Sequence, residues 1–292
     1  MNTYLTKVLI TGGSGQLASA LRYHPKAKHY EMIFCPKEIL DITDRKAVLI
    51  AIQTYAPQIV INTAAYTAVD QAETATQEAM HINHEACMHL AMACQQFSIP
   101  IIHISTDYIF DGLKSSPYHE DDAVNPQNHY GLTKWLGEEA IRAYCEKHLI
   151  LRVSGIFSEY GNNFLKTIWR IAQEKKICRV VCDQITCPTY ALDIAHTIFI
   201  LIEKLSHFGT YHYCSTEAIS WYHFAEIIVR LGKHYQPCLL EELIAITAEV
   251  YQAPAKRPAY SVLGCNKIYQ HYGISQPSLK TGAEQAIVCL TT

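Results

Sequence analysis

Tyr130 and Lys134 form a Tyr-x-x-x-Lys pair, and at the start of a helix such i, i+4 side chains project from one face toward the same ligand. The spacing suits acid catalysis of a carbonyl reduction, in which hydride goes to carbon and a proton to oxygen. A phenol of ordinary pKa about 10 becomes a competent proton donor near neutrality when an ammonium stabilises its phenolate. The lysine can also hold the ribose of a nicotinamide. With 19 Tyr in 292 residues and Lys nearly as common, chance alone supplies roughly one such pair, so the surroundings must support the assignment. Upstream, the run Ile102–Phe110 puts Ser105 and Thr106 at the carboxyl edge of a predicted sheet, where ligands of doubly wound folds bind. A hydroxyl there can orient a carbonyl; an ordinary strand-end turn with local side-chain hydrogen bonds is the plain alternative.

The first predicted strand runs into Thr11–Ala18, which places Gly12 and Gly15 at the tight turn before the first helix. A side chain at these glycines would block the backbone's approach to a pyrophosphate seated on the helix N-terminus. A merely glycine-rich turn would look the same, but the motif falls where a dinucleotide site requires it. The acid that would take an NAD ribose hydroxyl at the end of the second strand is missing: that strand ends Phe34, Cys35, Pro36, Lys37. Lys37 can meet a 2′-phosphate, which leans toward NADPH, although an exposed lysine is as readily just solvated.

These groups need a scaffold, and the apolar pattern supplies one. Lys7–Thr11, Glu31–Cys35, Gln58–Asn62, Pro100–Ser105 and Leu149–Val153 read as buried strands, separated by helices at Gln16–Tyr23, Asp44–Tyr55, Glu73–Phe97 and Asn128–Lys147. Alternating βαβ units imply an α/β fold: a Rossmann-like, doubly wound parallel sheet with helices on both faces. The expected division is a dinucleotide-binding domain over 1–153 and a smaller, mainly substrate-binding part over 154–292, some of whose segments return to the sheet. In the latter, Asn162–Lys175, Tyr190–Leu205 and Trp221–Leu231 read as helices, Arg179–Cys182 and Gly209–Cys214 as strands, and Gln252–Tyr260 as a loop.

A formal charge of -3, with basic residues scattered, offers no footprint for nucleic acid. Neither a signal-peptide core nor a long apolar span is visible after the polar Met1–Thr6 stretch, so no membrane partner and a cytoplasmic location are expected. None of the 11 Cys forms a Cys-x-x-Cys pair, and the spacing of Cys178, Cys182 and Cys187 fits no structural zinc pattern, so reduced thiols and no metal are expected. His81, His84 and His103 receive no role, and the aromatics of Trp221–Phe224 are assigned to core packing.

Over nearly the whole chain the ordered blocks resemble the dTDP-4-dehydrorhamnose reductases, extended short-chain dehydrogenases of dTDP-L-rhamnose synthesis. The blocks are Gly12–Leu17, Leu40–Asp44, Asn62–Asp70 with Ala72 and Glu73, Ser105–Gly112, Tyr130–Glu138, Asn162–Phe164, Asp183, Gln184, Pro188, Thr189, Arg257 and Pro258. The resemblance implies NADPH or NADH as cofactor, with Gly15, Gln16 and Leu17 at the pyrophosphate, Asp41 and Ile42 at the adenine, and Ala65, Tyr66 and Thr67 lining it past the third strand. It implies Tyr130 as proton donor, Lys134 as its electrostatic partner and Thr106 near the carbonyl. Asp107 and Tyr108 would lie beside the sugar and Arg257 at the nucleotide diphosphate. The implied reaction is reduction of the C4 ketone of a dTDP-6-deoxy-L-sugar, with dTDP-4-dehydro-L-rhamnose first. One departure matters: where the family typically places a tryptophan against the sugar nucleotide, this chain has Gly155. Another dTDP-keto sugar of the dihydrostreptose type therefore stands as a second substrate. A non-catalytic regulatory subunit of the same fold is the reading from another class, opposed by the intact Tyr130 and Lys134. A homodimer is compatible with all of these.

Overall fold

The computed structural model describes residues 5–291, so the outermost residues of both expected domains, 1–4 and 292, lie outside the described chain. Runs of branched apolar residues form β1 (Thr6–Thr11), β2 (Tyr30–Cys35), β3 (Ile59–Asn62), β4 (Ile101–Thr106) and β5 (His148–Val153). β3 and β4 are buried along their full length, as strands covered on both faces must be. Every pairing in the sheet is parallel and the order is β2-β1-β3-β4-β5, completed by β10 (Gly209–Tyr213) against β5. The order reverses between β1 and β3, and such a reversal opens a crevice at the carboxyl ends of the strands.

The helices of the first half are α1 (Gln16–Tyr23), α2 (Arg45–Tyr55), α3 (Val69–Ala72), α4 (Thr76–Met80), α5 (Ala86–Gln96) and α6 (His129–Tyr144). The second half adds α7 (Phe164–Glu174), α8 (Ala191–Glu203), α9 (Trp221–Lys233), α10 (Ala248–Tyr251), α11 (Asn266–Tyr272) and α12 (Leu279–Thr291). α1 and α8 cover one face of the sheet over a core of Ile10, Leu21, Ile104, Leu151 and Ile198. α2, α5 and α6 cover the other, over Leu9, Val60, Ile101, Leu90 and Ile141. A third core, around Phe157, Trp169, Phe224 and Ile287, joins α7, α9 and α12 in the C-terminal part. Short pairs complete it: β6 (Ile156–Phe157) with β9 (Thr189–Tyr190), β7 (Ile177–Val181) with β12 (Glu242–Ile246), and β8 (Ile185–Thr186) with β11 (Ile219–Ser220).

Two expectations need correction. The single helix over Glu73–Phe97 is broken: α3 and α4 are separate, and a π turn over His81–Glu85 links α4 to α5. Asn83 explains the wide turn, since its side chain accepts from the Tyr66 amide (2.8 Å) and donates to the Tyr66 carbonyl (3.1 Å) and Thr133 hydroxyl (3.0 Å). An inserted residue of this kind shifts the apolar phase by a single residue within one turn, too local for a window of roughly 11–18 residues to resolve. The helix expected to reach Lys147 stops at Tyr144, because Cys145 is extended and begins the approach to β5. β12 and the helices after Tyr260 carry too weak a pattern to have been assigned.

Two glycines let α6 press against the turn after β4 and against the π turn. A Cβ on Gly131 would come within 2.2 Å of the Tyr108 carbonyl oxygen, and one on Gly137 within 2.1 Å of the Asn83 carbonyl oxygen. Asn128 caps the helix by accepting from the Gly131 amide at 2.7 Å. The fully buried Glu138 then ties α6 to the strands: it accepts from Arg152 (2.8 Å) on β5, Ser105 (2.5 Å) on β4 and Arg142 (2.6 Å) on its own helix. Burial alone would raise the Glu138 carboxyl, but the two guanidiniums and the serine hold it below the usual carboxylate range. Removing one member of such a buried set strands the others' charge. Glu138→Ala is therefore expected to lower the unfolding free energy by about 3–5 kcal/mol at neutral pH, read from urea midpoints. Because the folded-state pKa is depressed, this contribution is present above the unfolded carboxylate range and fades as pH falls through the folded value, so the gap between wild type and variant should shrink on acidification.

Candidate active site

The crevice begins at the end of β1. Gly12 adopts φ +65°, and a Cβ there would lie 2.8 Å from the Ala64 backbone; a Cβ on Gly13 would lie 2.8 Å from the Cys35 amide. The turn is thereby pressed between the end of β2 and the segment after β3, closed by Gly13 N–H to Cys35 O (3.0 Å) and Gly15 N–H to Gly12 O (2.8 Å). Gly15 is the N-cap of α1 and brings no capping side chain, which leaves the first helical amides for an anion. Leu17 is buried in the core, so only its backbone can meet a phosphate. The Gln16 side chain serves another purpose: its carbonyl accepts from Asn163 (2.7 Å) and Ser158 (2.9 Å), fastening the glycine turn to the C-terminal part. Asp41 accepts from the Thr43 hydroxyl (2.7 Å) and amide (3.0 Å), which hold its carboxyl below the ordinary range, while Ile42 is buried. Ala65 and Tyr66 are half-buried and Thr67 exposed along the segment after β3. A cradle that tolerates no Cβ, followed by a bare helix N-terminus, fits the pyrophosphate of a dinucleotide.

Tyr130 stands in the first turn of α6, edge-on to Tyr108 with ring centroids 6.0 Å apart. Burial pushes its phenol up to about 12, an effect opposed by the Thr106 hydroxyl and reinforced by the charge of Asp107. One turn on, Lys134 is buried; it donates to the Ile104 carbonyl at 2.7 Å and lies 3.5 Å from His103 Nε2. Burial pulls its ammonium below the ordinary lysine range, with Cys87 and Glu138 opposing. No hydrogen bond among the described residues joins Lys134 to Tyr130, so the structure brings the pair to one helix face without direct contact. Behind the lysine runs a buried chain: Thr11 donates to Asn62 Oδ1 (2.7 Å), whose amide nitrogen meets His103 Nδ1 (3.0 Å). His103, which the sequence left without a role, is kept neutral by burial and by the adjacent Lys134 charge.

At the end of β4 the Thr106 hydroxyl accepts from the Tyr108 amide and donates to Asp107, both at 3.2 Å. The Asp107 carboxyl turns inward, accepting from Ser154 at 2.8 Å, and burial raises it to about 6 despite hydroxyl partners at Ser261, Ser154 and Thr106. Arg257 grips Asp70 with both terminal nitrogens at 2.9 Å and adjoins the Tyr108 phenol. Half of its fork is thus committed within the protein, a pairing across 187 residues that no sequence pattern announces. Gly155 has φ +50°, and a Cβ there would lie 3.1 Å from Pro188 and 3.3 Å from the Trp221 ring. An indole from α9, tilted against Phe164 with ring centroids 4.7 Å apart and assigned to the core from sequence, therefore occupies the space beside the glycine. A tryptophan at 155 would have to displace both Pro188 and this ring.

The RmlD substrate binding domain model matches residues 6–291 of the chain. A dTDP-4-dehydrorhamnose reductase of Aggregatibacter actinomycetemcomitans is 40% identical over 283 residues, covering 94% of this chain and 95% of that protein. Among solved structures, a dTDP-4-dehydrorhamnose reductase of Bacillus anthracis in complex with NADP superimposes with TM-score 0.92 at 34% identity, covering 97% of this chain and 99% of that one. Its counterpart from Clostridium acetobutylicum gives TM-score 0.93 at 36% identity, covering 98% and 100%.

The raised Asp107 carboxyl makes a stability prediction. A group whose folded pKa exceeds its unfolded value contributes stability below the unfolded value and loses it as pH rises through the folded one. Between pH 4 and pH 7 the wild type should therefore lose about 2 kcal/mol relative to Asp107→Asn in urea unfolding, as a carboxyl raised to about 6 implies. Parallel profiles would show the carboxyl to be ionised throughout.

Proposed function

The chain belongs to the dTDP-4-dehydrorhamnose reductase family, and we propose from its own geometry how it reduces the C4 ketone of dTDP-4-dehydro-L-rhamnose to dTDP-L-rhamnose with NADPH or NADH. The observation on which the assignment turns is the convergence of Tyr130, Lys134 and Thr106 on the carboxyl edge of β4, beside the glycine cradle of β1. When bound, the reduced nicotinamide supplies the hydride for the carbonyl carbon. Gly12, Gly15, Gln16 and Leu17 hold its pyrophosphate by backbone, and Asp41, Ile42, Ala65, Tyr66 and Thr67 border the adenosine side.

Tyr130 gives its phenolic proton to the ketone oxygen as negative charge develops there. A phenol pushed up to about 12 remains protonated at neutral pH, so the proton is in place before the reaction. Giving it up requires the phenolate to be stabilised at that moment, the task assigned to the buried ammonium of Lys134. Lys134 is held by the Ile104 carbonyl, and the same ammonium can reach the nicotinamide ribose. The Thr106 hydroxyl, already oriented by the Tyr108 amide, positions the carbonyl. Tyr108, Asp107 and Gly155 shape the sugar pocket, and Arg257 offers the diphosphate the donors not taken by Asp70. A cytoplasmic location accompanies this reading, supported by the free state of all cysteines, including the buried Cys87, Cys94 and Cys214.

Mixing the protein with NADPH and dTDP-4-dehydro-L-rhamnose should remove the reduced-nicotinamide absorbance and yield dTDP-L-rhamnose. Tyr130→Phe should lower kcat by about 10²–10⁴-fold while leaving NADPH affinity within about twofold. Turnover that survives the substitution would remove Tyr130 from the proton-donor role.

A further inference from the structure

Behind Lys134 a chain of buried polar groups bonds in one sense only. The Asn62 carboxamide oxygen accepts from the Thr11 hydroxyl (2.7 Å) and from the Ala64 amide (3.2 Å), and a backbone N–H can only donate. The orientation of the carboxamide is thereby fixed, and its nitrogen must donate: to His103 Nδ1 at 3.0 Å and toward Cys87 Sγ at 3.6 Å. His103 has no exposed surface, and burial, reinforced by the charges of Lys134 and Arg142, keeps it neutral. A neutral imidazole that accepts at Nδ1 carries its one ring N–H at Nε2. That hydrogen lies on the side of Lys134, whose Nζ is 3.5 Å from Nε2.

As an ammonium, Lys134 brings three N–H donors and no acceptor. One goes to the Ile104 carbonyl at 2.7 Å. Toward His103 it meets another donor, an arrangement that disfavours the ammonium and becomes a hydrogen bond only when Nζ is an amine with a free lone pair. Burial acts in the same direction, while Cys87 on α5 and Glu138 on α6 oppose it. Glu138, however, is shared between Arg152 and Arg142, and burial raises the Cys87 thiol to about 11. The turn after β4 contributes Asp107, which accepts from Ser154, and Tyr108 beside Arg257. On α3, Asp70 is taken by Arg257; on the π turn, His81 pairs with Glu85 at 2.6 Å, with His84 half-buried beside them. Burial pushes the Tyr130 phenol up to about 12, so of the Tyr130–Lys134 pair it is Lys134 that loses its proton first as pH rises.

We propose that His103 is a positioning residue for the reduction: its Nε2–H, aimed by Asn62, favours the amine of Lys134 over the ammonium and so sets the alkaline limit of turnover. The proposal rests on the reductase reading, in which the ammonium must be present when Tyr130 gives up its proton. Since the ammonium is lost as pH rises, kcat should fall on the alkaline side. His103→Gln, whose carbonyl can turn to the ammonium, should move that fall up by about one pH unit, the size of one hydrogen bond. His103→Asn, which keeps a partner for Asn62 but withdraws from Lys134, should move it the same way. A purely structural role would lower kcat at every pH without moving the fall. Nitrogen NMR of wild type labelled with ¹⁵N-histidine, the His103 signals being those lost in either variant, should show Nε2 protonated and Nδ1 bare from about pH 6 to about pH 9. A hydrogen at Nδ1, or alkaline limbs that coincide in the wild type and both variants, would overturn the proposal and leave the reductase reading intact. Absence of turnover by the wild type at every pH would remove both.

Discussion

Glu138 is a carboxylate with no access to water, and a charge so placed must find its cations inside the protein. Arg152 and Arg142 meet it from β5 and from its own helix, and Ser105 meets it from β4. The consequence is geometric: one turn before Glu138 comes Lys134, and one turn before that comes Tyr130, so the clamp that satisfies the charge also sets the height of both side chains over the sheet. Gly131 and Gly137 permit close packing of the same helix against the turn after β4 and the π turn. An isolated Tyr-x-x-x-Lys on a loosely docked helix would have the spacing without the placement, and catalysis by oriented groups is sensitive to displacements of an ångström.

A second dependence joins the two halves of the chain. Gln16 opens α1 directly after the phosphate turn, yet its side chain is spent on Ser158 and Asn163 rather than on a ligand. Asn163 meanwhile caps α7 through the Lys166 amide. The glycine turn and α7 are thus held by shared hydrogen bonds, which keeps the end of β1 and the C-terminal part in one frame. The Asp70–Arg257 pair makes a similar connection from α3 to the loop over Gln252–Tyr260, next to Tyr108. Parallel β10, returning from the second half to pair with β5, leaves no flexible joint between the parts.

Much of this was legible in residue order. The five strands of the first half lie within one residue of their expected bounds, because buried parallel strands must be short branched apolar runs. The glycine turn and the Tyr-x-x-x-Lys spacing were legible for a related reason: each is a local requirement, a backbone without Cβ or two side chains on one helix face. The π turn at His81–Glu85 was not, since it shifts the periodicity only within one turn, nor were β12 and the terminal helices, whose faces are defined only by what they pack upon. The absence of the expected tryptophan at Gly155 brought in a second substrate; the fold sets Trp221 beside that glycine from 66 positions downstream.

Residue order alone therefore settled the class of fold and the family and singled out candidate chemical groups, all of which depend on spacings of a few residues. The fold settled which of those groups remain available. It committed Arg257 to Asp70, turned the Asp107 carboxyl inward and placed His103 behind Lys134. Each of these is a meeting of side chains from different elements, and the energy of a buried polar or charged group depends on the partners that surround it in space, which short-range sequence patterns do not specify.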